Sequence, residues 1–173
     1  MYKAANDAGI VLEIISATRS FAAQRNIWNR KWNAPRFMGF QDADRAREIL
    51  KYSSMPGTSR HHWGTDIDLN SLENEWFESY PGSEIYAWLL SNAPLFGYHQ
   101  VYTDKTQGRT GYEEECWHWS YLPIAEEMWD QHCGNFTDNS ISGFDGAQWA
   151  DSLQIMKFYV QGVAMPPRSK DLP

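Results

Sequence analysis

The sequence predicts an α+β domain in which helices pack on a small, mainly antiparallel sheet. Two kinds of segment point there. Short runs alternate apolar and polar residues or are rich in β-branched ones, as strands do. Longer runs repeat apolar residues every three or four positions, as helices do. Their order along the chain suits helices laid against such a sheet.

Residues 2–9 read as the end of a helix closed by Gly9, and Val11 to Ala17 as a strand. Ser20 is placed to cap a helix from Phe21 to Asn33, with Phe21, Trp28 and Trp32 on one face. Residues 42–50 form another helix through Ala43, Ala46, Ile49 and Leu50, and Met55-Pro56-Gly57-Thr58 is a turn. Gly64 to Asn70 alternates as a strand, with Ile67 and Leu69 on one face and Asp66 and Asp68 on the other. A helix from Ser83 to Asn92 buries Ile85, Trp88 and Leu89, ends at Pro94 and Gly97, and leads into a short strand, Tyr98 to Tyr102. Residues 103–114 are a polar loop, and Trp117 to Tyr121 is a strand. A helix over 123–132 is expected to turn Ile124, Ala125, Met128 and Trp129 inward. Residues 134–146 read as a linker, and 147–161 as a last helix with Trp149, Leu153, Met156 and Val160 on one face. The tail from Pro166 is expected to be loose.

At 173 residues the chain is long enough for one ordinary domain. Its net charge of -7 argues against a binder of phosphate backbones, which needs a basic face. No apolar run approaches the 18 residues of a membrane span. The N-terminus lacks the features of a signal peptide and starts as if inside a helix, so an upstream segment is expected. Cys116 and Cys133 are too few for a disulfide scaffold. They are either one bridge or two buried thiols. Aromatic residues make up 15%, which fits a ring-rich core or a ring-lined cleft.

No GxGxxG, Walker loop, GxSxG, SxxK or HExxH occurs, so the common nucleotide, serine-hydrolase and helical zinc-protease signatures are missing. The remaining polar residues concentrate in two segments. One is Ser59-Arg60-His61-His62-Trp63-Gly64-Thr65-Asp66-Ile67-Asp68, and the other runs from Glu113 to Tyr121. Catalytic zinc takes three ligands from His and carboxylate and keeps a place for water, which a nearby carboxylate deprotonates. His61, Asp68, His118 and one of Glu113, Glu114 and Glu115 supply those four parts.

SRHHWGTDID matches S-x-H-x-x-G-x-x-x-D, and ECWHWSY matches E-x-W-H-x-x-Y. With the upstream SATRSFAAQ, these motifs resemble the zinc D-alanyl-D-alanine carboxypeptidases of the vancomycin-resistance type, grouped with lysostaphin-type peptidases and the hedgehog domain. The resemblance covers about residues 10–125. It implies a hedgehog/DD-peptidase-like sheet carrying one Zn²⁺ on His61, Asp68 and His118, with Glu115 as base. It also implies Arg19 and Gln24 on the substrate's terminal carboxylate and Ser59 as a substrate contact or support. Residues 1–133 are then the zinc peptidase domain, and 134–173 a linker, helix and tail packed on it.

Three positions depart from the family pattern: Asp66 where a small residue is usual, Cys116 at a frequent proline, and Thr18 before Arg19 where an aromatic is usual. Asp66 shares a strand face with Asp68, so it either supports the site or competes as a ligand. In a straight strand Glu115 and His118 would face opposite ways, so the backbone must bend there or Glu115 must precede the strand. The plainer readings are that Arg19 is a surface ion-pair partner, His62 a support or an exposed ring, and Glu113 and Glu114 solvated charges. His99 and His132 carry no expected role, and Trp63, Trp117 and Trp119 read as packing residues, with lining of the cleft as the alternative for Trp63 or Trp119.

The function implied is zinc-dependent D,D-carboxypeptidase action on the D-alanyl-D-alanine ends of peptidoglycan stem peptides, outside the inner membrane. An L,D-carboxypeptidase or endopeptidase on the same scaffold is the alternative. So is a non-catalytic zinc module that recognises wall peptides.

Overall fold

The computed structural model describes residues 1–166; the tail beyond lies outside the described residues. Four antiparallel strands form one sheet in the order β1-β2-β4-β3: β1 (Ile14–Ser16), β2 (Asp66–Leu69), β3 (Tyr98–Gln100) and β4 (His118–Tyr121). The helices are α1 (Tyr2–Asp7), α2 (Phe21–Trp32), α3 (Asp42–Leu50), α4 (Gly82–Asn92), α5 (Leu122–Asn135) and α6 (Ala150–Leu153). The Ser20 hydroxyl accepts from the Ala23 amide at 3.1 Å, which caps α2 as its sequence position suggests.

The two central strands set the polarity of the sheet. Asp66 pairs with Ser120, Ile67 with Trp119 and Asp68 with His118. Side chains alternate across a strand, so one face carries Asp66, Asp68, His118 and Ser120. Leu69 and Trp119, on the other, join Leu12, Ile85, Leu89 and Ala93 in a buried apolar cluster, and Ile67 packs against it. A larger cluster takes Trp28 and Trp32 from α2, Ile49 and Leu50 from α3, and Ile155 near the C-terminus. Tyr102 and Tyr112 belong to it, and the Tyr102 ring lies 4.6 Å from that of His118. The larger cluster thereby reaches the polar face.

Three expectations are corrected. Residues 134–146 do not hang as a linker: Ile141 is buried in the larger cluster, and the Asp145 carbonyl accepts the Trp28 indole N–H at 2.7 Å. The C-terminal helix is broken, because Gln154 takes a left-handed φ of 49°. The Met156 amide then donates to the Asp138 carboxylate at 2.8 Å, and Met156–Val160 winds as a wider π-turn. Leu153, Met156 and Val160 still point inward. Helix α5 is longer than expected and turns Ile124 and Met128 outward, 55% and 38% exposed, while Ala125 is buried. Cys116 and Cys133 are free thiols.

Candidate metal centre

The centre forms where two segments distant in sequence meet on the polar face of the sheet. His61 lies in a 3₁₀ turn, Arg60–Trp63, that ends at Gly64. Gly64 has a φ of 76°, and a Cβ there would sit 3.2 Å from the Thr18 hydroxyl, so glycine suits the reversal. The turn is tied to the loop after β1: the Arg19 amide donates to the His61 carbonyl at 3.0 Å, and His61 Nδ1 bonds the Ala17 carbonyl at 2.8 Å. With Nδ1 as the donor, His61 Nε2 is free to face Asp68 Oδ2 at 3.3 Å.

His118 stands on β4 directly across from Asp68, and its Nδ1 is 3.0 Å from Asp68 Oδ1. One donor atom each from His61, Asp68 and His118 falls within 4.8 Å of the others, and all three residues are buried. Two imidazoles and one carboxylate converging in this way fit the three-ligand set of a zinc site that keeps a position open. Among the protein's own groups, burial opposes charge on His118, but its hydrogen bonds to the Asp66 and Asp68 carboxylates outweigh burial and push its pKa up to about 10. For Asp68, bonding to His118 and His61 outweighs burial and holds the carboxyl well below the usual carboxylate range.

Glu115 precedes β4. The His118 amide donates to the Glu115 carbonyl at 3.2 Å, closing a turn that brings both side chains to one side. This removes the conflict that a straight strand would create. Glu115 Oε2 is 3.7 Å from His118 Nδ1. Burial raises the Glu115 pKa to about 7, with the Asp68 charge adding and His118 opposing. A carboxyl so placed can take and return a proton near neutral pH.

These groups line one cavity together with Arg19 and Ser59. Arg19 Nη2 donates to the Ser16 hydroxyl at 2.7 Å and lies 3.6 Å from Asp68 Oδ2. Gln24 is not on the cavity wall. It is 1% exposed, accepts from Arg19 Nη1 at 2.7 Å and donates to the Ser54 carbonyl at 2.7 Å, so it braces Arg19 from behind. Asp66 stays outside the donor cluster and bonds the far side of the His118 ring, Nε2, at 2.8 Å. His62 is tied between the Arg19 carbonyl and the Gly57 amide, and does not line the cavity.

The wall also includes Lys31, Tyr52, Tyr102 and Tyr112, which the motifs leave out, and Trp117, which lies within E-x-W-H-x-x-Y. Lys31 was legible in principle, since it follows Gln24 by seven residues on α2 and so shares its face. Tyr52 and Tyr112 lie outside any periodic run, and Tyr102 ends the run read as a strand, Tyr98 to Tyr102. Trp117 both packs, at 6% exposure, and lines the cavity.

Comparison with known proteins agrees with this architecture. The family model described as "VanY: D-alanyl-D-alanine carboxypeptidase" matches residues 1–124. A D-alanyl-D-alanine carboxypeptidase of Enterococcus faecalis is 31% identical over 135 residues, covering 78% of this chain and 48% of the relative. The chain thus spans about half the length of that relative. The vancomycin-resistance D,D-pentapeptidase VanY in complex with Zn(II) superposes with a TM-score of 0.58 at 28% identity, over 75% of this chain and 72% of the other. DacB, an L,D-carboxypeptidase from Streptococcus pneumoniae, gives a TM-score of 0.52 at 25% identity, over 84% and 72% of the two chains. Family match, shared fold and converging donor set together show that this chain belongs to the VanY family of D-alanyl-D-alanine carboxypeptidases.

Proposed function

We propose that the protein is a zinc-dependent D,D-carboxypeptidase that removes the terminal D-alanine from peptidoglycan stem peptides, outside the cytoplasmic membrane. The observation that carries this reading is the convergence of His61, Asp68 and His118 in one cavity with Glu115 beside them and Arg19 on the wall. The Zn(II) and D,D-pentapeptidase activity named for the VanY structure support it.

His61, Asp68 and His118 would hold the ion. When bound, zinc supplies a Lewis acid that polarises a carbonyl and lowers the pKa of water. Glu115, buried and with its pKa raised, accepts a proton from the attacking water and returns it to the leaving amine. Arg19 offers a fixed guanidinium to the substrate's terminal carboxylate through charge-assisted hydrogen bonds, and Gln24 and Ser16 hold it in place. Recognition of a chain end by a cation on the cavity wall accounts for exo- rather than endo-cleavage. Ser59 lines the same cavity and is placed to contact the peptide. No helix among the described residues is long and apolar enough to cross a membrane, which is compatible with action at the wall.

A second reading, L,D-carboxypeptidase, is favoured by the likeness to DacB. Metal content together with D-alanine release from an acyl-Lys-D-Ala-D-Ala peptide, with and without chelator, tests both. One equivalent of zinc and chelator-sensitive release are expected. Zinc without release, but with cleavage of a tetrapeptide stem, would replace the first reading with the second. Zinc without any cleavage would leave a binding module.

A further inference from the structure

Behind the centre lies a buried charge cluster that none of these roles uses. Asp66 has no exposed surface and shares its β2 face with Asp68. Because Ser120 and His118 oppose Asp66 and Asp68 on β4, the His118 ring lies across both carboxylates. Its Nδ1 is 3.0 Å from Asp68 Oδ1, and its Nε2 is 2.8 Å from Asp66 Oδ2. Asp66 Oδ2 also accepts from Arg60 Nε at 2.9 Å, and Oδ1 accepts from the Ser120 hydroxyl at 2.9 Å and the Thr65 hydroxyl at 2.6 Å. Arg60, only 3% exposed, donates through Nη2 to the Ser120 hydroxyl at 2.7 Å and lies over the Trp63 ring, 4.7 Å from its centroid.

Four donors thus occupy both oxygens of Asp66, and the Arg60 guanidinium cancels its charge locally. A buried carboxylate satisfied in this way is fixed in space and has no free oxygen to offer elsewhere. We propose that Asp66 is a positioning residue: it accepts a hydrogen bond from His118 Nε2–H and so presents the Nδ1 lone pair to the donor cluster shared with His61 and Asp68. A neutral imidazole that donates from one nitrogen accepts or ligates through the other, so Asp66 selects both tautomer and ring orientation. Arg60, Ser120 and Thr65 keep Asp66 in that role and out of the ligand set. The inference rests on His118 being a metal ligand, as proposed above.

The test is zinc affinity, measured by competition against a chromophoric chelator, for the wild type, D66A, D66N, D66N/R60M, D68A and H118A. Nitrogen NMR on histidine-labelled protein reads the His118 tautomer. Loss of Asp66 is expected to weaken zinc binding by about 10–100-fold, the range for groups that orient metal-ligating histidines. The His118 resonances of the zinc-loaded variants should lose the single Nε2–H signature of the wild type. D66N/R60M leaves no unpaired buried cation, so it separates misfolding from mispositioning and should show the same loss. Wild-type affinity and tautomer in folded D66N/R60M would overturn the proposal. A loss as large as that in D68A would also overturn it, by making Asp66 a ligand in its own right. A wild type that binds no zinc ends the metal reading itself. One that binds zinc but cleaves no wall peptide ends only the enzymatic reading, and the affinity series still decides the role of Asp66.

Discussion

The two faces of the central strand pair are built by opposite means. On one, Leu69 and Trp119 join Leu89, Ile85 and Ala93 in an apolar cluster with Ile67 packed on it, held by buried area and close packing. On the other, Asp66, Asp68, His118 and Ser120 are held by directional bonds of 2.8 to 3.0 Å between charged and polar groups. The same four-residue strand, Asp66–Leu69, supplies both. Area is indifferent to which atoms provide it, so the apolar face should tolerate reshaping at a cost in stability. Donor–acceptor matching is not indifferent, so the polar face should lose function when single atoms change and the fold persists.

The largest expected effect falls on the polar face. Glu115→Gln removes the proton acceptor while keeping the shape, and should reduce turnover by about 10²–10⁴-fold, the usual contribution of a general base. Thermal unfolding and zinc content should stay near wild type. If Glu115→Gln instead melts as early as a core variant, the division between the faces fails.

Leu89→Ala is the complementary change, at a residue with no exposed surface. A buried Leu→Ala substitution costs about 2–5 kcal/mol. The melting temperature should drop by several degrees, with turnover per folded molecule at 25 °C unchanged. Equal damage to turnover would show that the two faces are coupled.

Arg19→Ala sharpens the comparison within the site. A hydrogen bond to a charged group contributes about 1.5–3 kcal/mol, so kcat/KM should fall by about 10–100-fold. Discrimination between carboxylate-ended and amide-ended peptides should disappear with it, which steady-state kinetics on the matched pair would read.

The smallest effect is Ser20→Ala, which removes the α2 cap, away from both faces of the strand pair. About 1 kcal/mol of stability is expected to go, visible as a shifted denaturation midpoint with an unchanged slope.

Much of this design was legible in the residues. The segment from His61 to Asp68 and the Glu115-Cys116-Trp117-His118 run offered the right residue types for a metal, and the family resemblance they carry implied which of them form the donor set. The β2 alternation placed Asp66 and Asp68 on one face before any partner was known. The α2 cap and the α3 boundaries followed from local chemistry. Helix α5 misled because its apolar residues outnumber what its packed face needs, leaving Ile124 and Met128 outside. The C-terminal helix misled for a different reason. Its periodicity was sound, but an acceptor 18 residues upstream, Asp138, captured a backbone donor that the helix would have used.

The sequence by itself determined most of the elements, the inward side of most of them, and the residue types able to hold a metal. Each of these follows from interactions over a few residues: side-chain alternation, helical spacing and capping. Only the tertiary structure decided which nitrogen of His118 faces Asp68, that Gln24 braces Arg19, and that Asp66 sits behind the ring, outside the donor set. The placing of His118 and Asp66 depends on the β2–β4 register, and the bracing of Arg19 on how α2 packs beside the loop after β1. A one-residue slip in that register would part His118 from Asp68 and Asp66 across the strands, and no local pattern encodes the pairing of strands fifty residues apart in the chain.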